Sequence, residues 1–589
     1  MTPLARHHSI FFLIMRRLRA PLLALIVIFA ISILGLTLAP GAPDATGRPT
    51  SLSFFHAFYF VSYTATTIGF GEIPESFSDQ QRLWVIVCIY MSVAGWAYTL
   101  SRVFALLSDR NLQQAISTQR FLRAVNRLGE PFYLVCGYGE TGRLVVDALD
   151  RLRYRVVVVD SDERALGESE LQAYAADVPA LCADAGNPEI LKFAGLTHPR
   201  CVGVLALTND DNANLAIAIA ARLLAPRLPV LCRAETRETA VNMASFSTRH
   251  VINPFEKFSE YLALALRNPA AWQLLIWLTG LPGTTVDRHR APPHGAWVVC
   301  GHGRFGRLMV EAMEGARIPV TIIDLAARRD FDHPWVRGDG TGAQALQQAN
   351  IMRAAGIIAS THNDVDNLSV AVTARELNPD LFVIVRQNQA VNHALFDAFD
   401  SDVTMVPSKI IAHECLAVLT TPLMVPFLEA MKGRDEPWCA TLLERMTECH
   451  GWAVPSVWSV RIDLSQTPAL YLRLMQGASM ELGTLLRPPH DHTQPLACEV
   501  LYLSRDDGDD ILMPDRDTRI RAGDELLLVG TPAARNDLGF TLGNEFALHY
   551  VLTGEELARG WIWRYLTRPR KTITAATRRD PVSPDRPPV

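Results

Sequence analysis

The residues with the clearest chemical use are Thr66-Thr67-Ile68-Gly69-Phe70-Gly71, where two glycines alternate with larger residues at the end of an aromatic-rich run. Alternating backbone handedness turns successive carbonyls to one side, and glycine enters positive φ at little cost. A row of carbonyl oxygens aimed one way can replace the water around a dehydrated cation, and the Thr67 hydroxyl can add a ligand at the inner end. A second chemistry is written twice, in Gly137-Tyr138-Gly139-Glu140-Thr141-Gly142 and in Gly301-His302-Gly303-Arg304-Phe305-Gly306. Each follows a short apolar run and precedes another that ends in an acid, Asp160 or Asp324. Glycines for a tight turn, for close backbone approach and for helix packing, plus an acid about 20 residues on to accept from ribose hydroxyls, form a dinucleotide fingerprint.

Non-helical backbone survives at membrane depth only where it lines water or ions, so the first stretch needs a spanning helix on either side. Ala20 to Ala39 and Leu83 to Ser101 carry no charged residue, and about 20 apolar residues suffice to cross. We expect spans at about 20–39 and 83–107, with a pore helix and coordinating loop over 51–72 built on Phe54, Phe55, Phe58, Tyr59 and Phe60. The first apolar run is longer than a signal-peptide core and leads into a Pro-rich segment, which favours a retained span. Arg16, Arg17 and Arg19 precede it, while Arg102, Arg110, Arg120 and Arg123 follow the second. The positive-inside rule then places both termini in the cytoplasm. Gly95, midway along the second span, is a candidate gating hinge; the competing use of such a glycine is close helix packing.

The chain of 589 residues is 49% hydrophobic yet 20% charged, which fits a small membrane part carrying a larger aqueous part of two or three units. Its ten cysteines form no CxxC or zinc spacing and are expected to be reduced. A net charge of −5 gives no basis for a nucleic-acid partner. Gly137, Gly139, Gly142 and Asp160 recur 164 residues later, and beyond them the offset becomes 153, pairing Thr208 with Thr361, Asp211 with Asp364, Asn214 with Asn367, Arg233 with Arg386 and Pro254 with Pro407. This is an internal duplication. The fold class is therefore an α-helical two-span pore domain plus α/β, with two tandem Rossmann-like units whose ligands sit at the carboxyl ends of parallel strands. Candidate nucleotide contacts are Gly137, Gly139, Glu140, Thr141, Gly142, Asp160, Asp184 and Arg233 in the first unit, and Gly301, Gly303, Arg304, Phe305, Gly306, Asp324, Asp339 and Arg386 in the second. Glu140 disfavours phosphates where Arg304 would pair with them, so the second site suits a polyphosphate and the first an NAD-like or adenosine ligand.

The stretch from Ala20 to Leu107 resembles the pore of two-transmembrane potassium channels, whose filter is usually written TVGYG. The resemblance implies that Thr67, Ile68, Gly69 and Phe70 bind dehydrated K⁺ through backbone oxygens, in a filter closed by Gly71 and completed by four chains. Phe70 in place of the commoner Tyr and Glu72 in place of Asp imply looser selectivity. Pro131 to Leu538 resembles RCK (TrkA-type) domains, with Pro254–Leu281 and Pro407–Met431 as crossover helices and Asp515–Leu526 as part of a small C-terminal α+β subdomain. The implied layout is a pore domain at 1–110, a linker at 111–130, RCK domains at 131–285 and 295–435, a C-terminal subdomain at 440–545 and a disordered tail at 571–589.

By the same resemblance, a homotetramer carries eight RCK copies as a complete gating ring. NAD or an adenine nucleotide would be the gating ligand, acting through the linker on the second span, and the location would be the plasma membrane. Calcium activates some relatives through carboxylates at the sheet end, but Arg233 fills one such position and leaves Glu235 nearby, so that site is not expected and a divalent cation stays a candidate ligand with no site assigned. Asp506 to Asp510 and His490-Asp491-His492 read as polar loops. The expected activity is that of a ligand-gated K⁺ channel and not an enzyme. The alternatives are a membrane-anchored NAD-dependent oxidoreductase, for which no substrate domain with an acid/base pair is evident, and an anchored regulatory subunit of a K⁺ uptake system.

Overall fold

The computed structural model describes residues 3–43, 50–71, 76–246, 248, 250–280, 290–326, 333–491 and 493–555. Helix α1 (Pro3–Leu38) and helix α3 (Asp79–Leu107) contain the two candidate membrane spans, Leu18–Leu38 and Asp79–Leu107, of 21 and 29 residues. At 1.5 Å per residue both exceed the roughly 30 Å hydrocarbon core. The second starts before the expected position 83 because Ser78 caps it: its hydroxyl accepts from the Gln81 amide and the Gln81 carboxamide accepts from the Ser78 amide, both at 3.2 Å. Small residues bring α1 and α3 together, since a Cβ on Gly35 would overlap the Trp84 ring at 2.1 Å. Between them α2 (Phe54–Ala65) begins at the Ser53 cap, not at the expected Ser51, and buries Ala57, Phe60, Val61 and Tyr63. The expected outer-mouth acid Glu72, His492 and the tail at 571–589 lie outside the described residues.

Helix α4 (Arg110–Asn126) follows α3 after two residues, Ser108 and Asp109. Most of the linker expected over 111–130 is this helix. Phe121 and Val125 of α4 are buried in the core of the first α/β unit, so the joint between pore and unit shrinks to that pair.

The first unit is a parallel sheet of β1 (Phe132–Cys136), β2 (Arg155–Asp160), β3 (Ala180–Cys182), β4 (Cys201–Ala206), β5 (Val230–Arg233) and β6 (His250–Ile252), in the order β3-β2-β1-β4-β5-β6. Its central strands are buried along their length, which explains why they read as unbroken apolar runs. The second unit repeats this with β7 (Trp297–Cys300), β8 (Val320–Asp324), β9 (Trp335–Arg337), β10 (Gly356–Ala359), β11 (Phe382–Arg386) and β12 (Val403–Met405), in the order β9-β8-β7-β10-β11-β12. In both, helices α5 (Glu140–Arg151) and α8 (Arg304–Gly315) follow the first strand, as a doubly wound fold requires.

After its sixth strand each unit sends a helix across to the other. Helix α6 (Pro254–Arg267) delivers Phe255, Phe258, Leu262 and Leu266 to the core of the second unit. Helix α9 (Pro407–Thr420) delivers Ile411, Ala412, Cys415 and Leu416 to the core of the first. Taken with α10 (Met424–Lys432), α9 is apolar enough to pass for one more span bent by 116°, but those side chains are core of the aqueous part. Tyr261 of α6 donates its hydroxyl to Glu414 of α9, 153 positions on. That separation equals the repeat offset, so two equivalent positions meet on the pseudo-twofold axis. Helix α7 (Pro269–Thr279) then docks with Trp272 and Trp277 against α10, α11 (Glu436–His450) and the C-terminal sheet. That sheet joins β13 (Ser456–Arg461), β15 (Cys498–Ser504), β16 (Ile511–Leu512) and β18 (Glu525–Gly530), beside a short pair of β14 (Met480–Glu481) and β17 (Arg519–Ile520).

Candidate functional site

Helix α2 ends where the coordinating stretch begins, and its ending sets the direction of that stretch. The Ile68 amide donates to the Tyr63 carbonyl at 3.0 Å and the Thr67 amide to the Thr64 carbonyl at 3.1 Å, a Schellman arrangement that puts the first residue past the cap in the left-handed region. Thr67 accordingly has φ +61°, Gly69 +62° and Gly71 +71°. Every second residue from 67 to 71 is thus left-handed, the alternation that turns successive carbonyls to one side. Thr67 was not expected at such a position, because a β-branched residue there is strained by about 1–3 kcal/mol. Among the described residues no donor is directed at the carbonyl oxygens of Thr67, Ile68, Gly69 or Phe70. All four residues are exposed in the single chain, and the Phe70 ring leans on Tyr63 with centroids 6.2 Å apart.

Gly95 is not a weak point in α3, which runs unbroken through it. A Cβ there would lie 2.7 Å from Ile28 Cδ1 and 3.2 Å from Leu25 Cδ2. The glycine allows close approach of α1, for the steric reason that favours small residues at membrane helix contacts.

In both α/β units the three glycines have separate physical jobs. Gly137 and Gly301 turn the chain at φ +102° and +92°. A Cβ on Gly142 or Gly306 would stand 2.0 or 1.9 Å from the carbonyl oxygen of Gly137 or Gly301, so the third glycine lets the helix pack on the turn. The second faces open space: nothing lies within 4 Å of a Cβ on Gly303, and a Cβ on Gly139 would meet Asn209 Nδ2 at 3.9 Å. Helices α5 and α8 start there with no side-chain cap, leaving first-turn amides directed at that space, a setting that favours anions. The acids complete the edge. Asp160 accepts from the Tyr138 amide and, at 2.7 Å, from Asp162. Asp324 accepts from His302 at 2.6 Å and from Ala326 at 2.8 Å. Asp184 and Asp339 stand two residues past the strand partners of Asp160 and Asp324, Cys182 and Arg337.

Residues 22–109 match the ion channel family, and residues 133–254 and 297–407 match the TrkA-N domain. The chain joins one ion-channel domain to two TrkA-N domains. Potassium channel protein 1 of Methanocaldococcus jannaschii is 26% identical over 205 residues, which are 34% of this chain and 59% of that protein. The probable potassium channel protein 2 of the same organism is 23% identical over 35% of this chain and 58% of its own length. The chain thus spans about six-tenths of the curated relatives it matches first. Among solved structures, a GsuK channel bound to NAD covers 91% of this chain and 99% of its own, at 18% identity and a TM-score of 0.44.

The two TrkA-N domains bring the remaining predicted residues to one shared seam. Glu140, at the start of the first domain's α5, accepts from the Ala390 amide of the second domain. Arg304, its counterpart, reaches back to Glu235 of the first domain at 3.0 Å, and Arg233 holds the same carboxylate at 2.6 Å. Arg233 also donates to Asn209. Arg386 lies flat against Phe255 at 4.7 Å and Phe305 at 5.8 Å, and burial pushes its pKa down to about 10. Thr141 and Phe305, expected at the ligand, are buried instead, with Phe305 packed beside Phe255 and Phe258. The second helical position faces the packed side, so those two contribute backbone at most.

Sequence reasoning missed two devices that hold the crevice edges. Asn214 accepts from Thr208 and donates to the Arg233 carbonyl, and Asn367 does the same between Thr361 and Arg386. Asp211 accepts from the amides of Glu235 and Thr236, and Asp364 from those of Asn388 and Gln389. Their recurrence at the repeat offset was the available signal. Among the described residues no group of three His, Cys, Asp or Glu side chains could hold a metal ion. Asp506, Asp507 and Asp509 face Arg461, Arg521 and Arg505, as a solvated hairpin would have them.

Proposed function

We propose that this chain is the subunit of a tetrameric, potassium-selective channel whose tandem TrkA-N domains bind nucleotide and set the occupancy of the open pore. The observation that carries the reading is the alternating left-handed backbone at Thr67, Gly69 and Gly71, exposed between two spanning helices with its carbonyls uncommitted. One loop supplies a quarter of a coordination cage, so four chains are needed to replace a full hydration shell. Control is placed in the TrkA-N domains because α4 enters the first domain's core while only Ser108 and Asp109 separate it from α3. A nucleotide that prefers one arrangement of the domain pair would shift the pore by its differential affinity for the two arrangements. Open space over Gly139 and Gly303, and the acids Asp160, Asp184, Asp324 and Asp339, support a nucleotide at each crevice. Arg304 supports a polyphosphate in the second.

The test is ion flux from the purified chain in vesicles. Flux selective for K⁺ over Na⁺ and lost in Gly69→Ala is expected, since a Cβ at φ +62° adds a second strained position to the alternating backbone. Equal Na⁺ and K⁺ flux would sink the selectivity claim. No flux from the chain alone would favour a regulator anchored beside a separate transporter, and nicotinamide reduction with a substrate would favour an oxidoreductase.

A further inference from the structure

The crossover seam forms a partly open cavity of about 200 Å³ that neither TrkA-N crevice uses. One wall is Phe258, Trp272 and Leu275 of the first domain's crossover helices, and the other is Ile384 and Met405 from the second domain's sheet. An engineered apolar cavity of ~150 Å³ stays dry and takes up benzene, so this space suits a fragment-sized apolar body rather than a water cluster. It is not apolar throughout. Helix α9 lines it with Lys409 and, one turn on, His413. No carboxylate lines the cavity, and Tyr261, which does, is already committed to Glu414.

Two polar side chains there have nothing to do within the protein. Among the described residues the exposed Lys409 makes no ion pair and the half-buried His413 ring makes no hydrogen bond. A carboxylate placed against the one and beside the other would satisfy both. We propose that this cavity is a binding site for a small apolar monocarboxylate, aromatic or branched, whose hydrocarbon part fills the space between the two domains while its carboxylate meets Lys409 and His413. Because the walls come from different domains, the occupant binds most tightly to the arrangement that closes them together. The site therefore adds an input that is chemically distinct from nucleotide.

Calorimetry on the full chain in detergent tests this, with phenylacetate as the probe and 2-phenylethanol as its uncharged counterpart. Saturable binding of phenylacetate is expected. Lys409→Met should weaken it about tenfold, the worth of one charge-assisted hydrogen bond, while leaving 2-phenylethanol unchanged. Ala265→Leu should abolish both, since Ala265 lines the cavity and is buried. Should that variant fail to fold, Ile276→Phe fills the same space from a half-buried position. Absence of saturable phenylacetate binding, binding unaltered by a folded cavity-filling variant, or equal loss of both probes in Lys409→Met would overturn the proposal.

Discussion

Replacing Glu235 with glutamine is expected to tighten polyphosphate binding in the second TrkA-N domain while weakening the domain pair itself. One carboxylate neutralises both Arg233, at 2.6 Å, and Arg304, at 3.0 Å. A phosphate approaching Arg304 must also approach that carboxylate. At a charge separation of about 7 Å and an effective dielectric constant between about 20 and 80, the repulsion is about 0.6 to 2.4 kcal/mol. The Arg304 side chain is 50% exposed, so solvent screening favours the lower half of the range, about 1 kcal/mol or roughly fivefold in affinity. Stability moves the other way, because Arg233 is 11% exposed and loses its carboxylate. Leaving a largely buried cation without its partner costs about 1–3 kcal/mol. Titration calorimetry with ADP reads the first effect and thermal unfolding the second. An ADP affinity that is unchanged or weaker in a folded Glu235→Gln protein would refute the reasoning, as would an Arg304→Gln protein that binds ADP as tightly as the parent.

Three further outcomes follow from the packing. Gly95→Ala should lower the thermal stability of the assembled protein by the about 1–3 kcal/mol typical of overpacking, with partial rescue by Ile28→Val; a glycine acting as hinge would instead change gating with stability intact and no rescue. Tyr261→Phe removes the hydroxyl that Glu414 accepts from and should cost about 1–3 kcal/mol in denaturant unfolding, with Glu414→Gln recovering part of the loss. Burial, reinforced by the charge of Lys409, holds the His413 pKa down to about 4 from its ordinary 6.5. The unfolded chain therefore takes up a proton first, so this contribution is intact above 6.5 and is lost as pH falls from there toward 4, on the order of 1–3 kcal/mol. Unfolding measured between about pH 7 and about pH 4.5 should show that loss in the parent and lack it in His413→Leu.

The sequence made visible what depends on composition and period. Two uncharged runs announced the spans, and a doubled fingerprint, repeated at an offset of 164 and then 153 residues, announced two Rossmann-like units. It concealed what depends on a partner. Phe305 reads like a crevice residue in Gly301-His302-Gly303-Arg304-Phe305-Gly306, and only the exchange of α6 and α9 shows that its ring meets Phe255 and Phe258. Arg304 reads as a free cation because Glu235, which holds it, lies 69 positions away. Thr67 looks like an extended residue because glycine is what normally ends a helix in the left-handed region. Gly95 carries the same letter whether it bends a helix or lets another approach, and the neighbour it packs on, Ile28, shows only in the structure.

The axis pair tells why the duplication diverged. In a symmetric pair of identical units, position 261 would meet its own copy, and the same holds for position 414. Two Glu414 side chains in such a contact would face each other with little water to screen them, a repulsion that grows as the local dielectric falls. Two Tyr261 side chains would meet without the carboxylate acceptor. Lys257 adds to the discrimination: Glu414 supports its charge against burial, and the equivalent place on α9 is Ile410, which offers nothing to a second carboxylate. The seam above the axis follows the same logic, with Arg304 of the second domain answered by Glu235 of the first, and Glu140 of the first answered by the Ala390 amide of the second. The Tyr261–Glu414 and Arg304–Glu235 contacts work between unlike domains and fail between like ones. The divergence therefore steers each domain toward its neighbour in the same chain and against a like domain elsewhere.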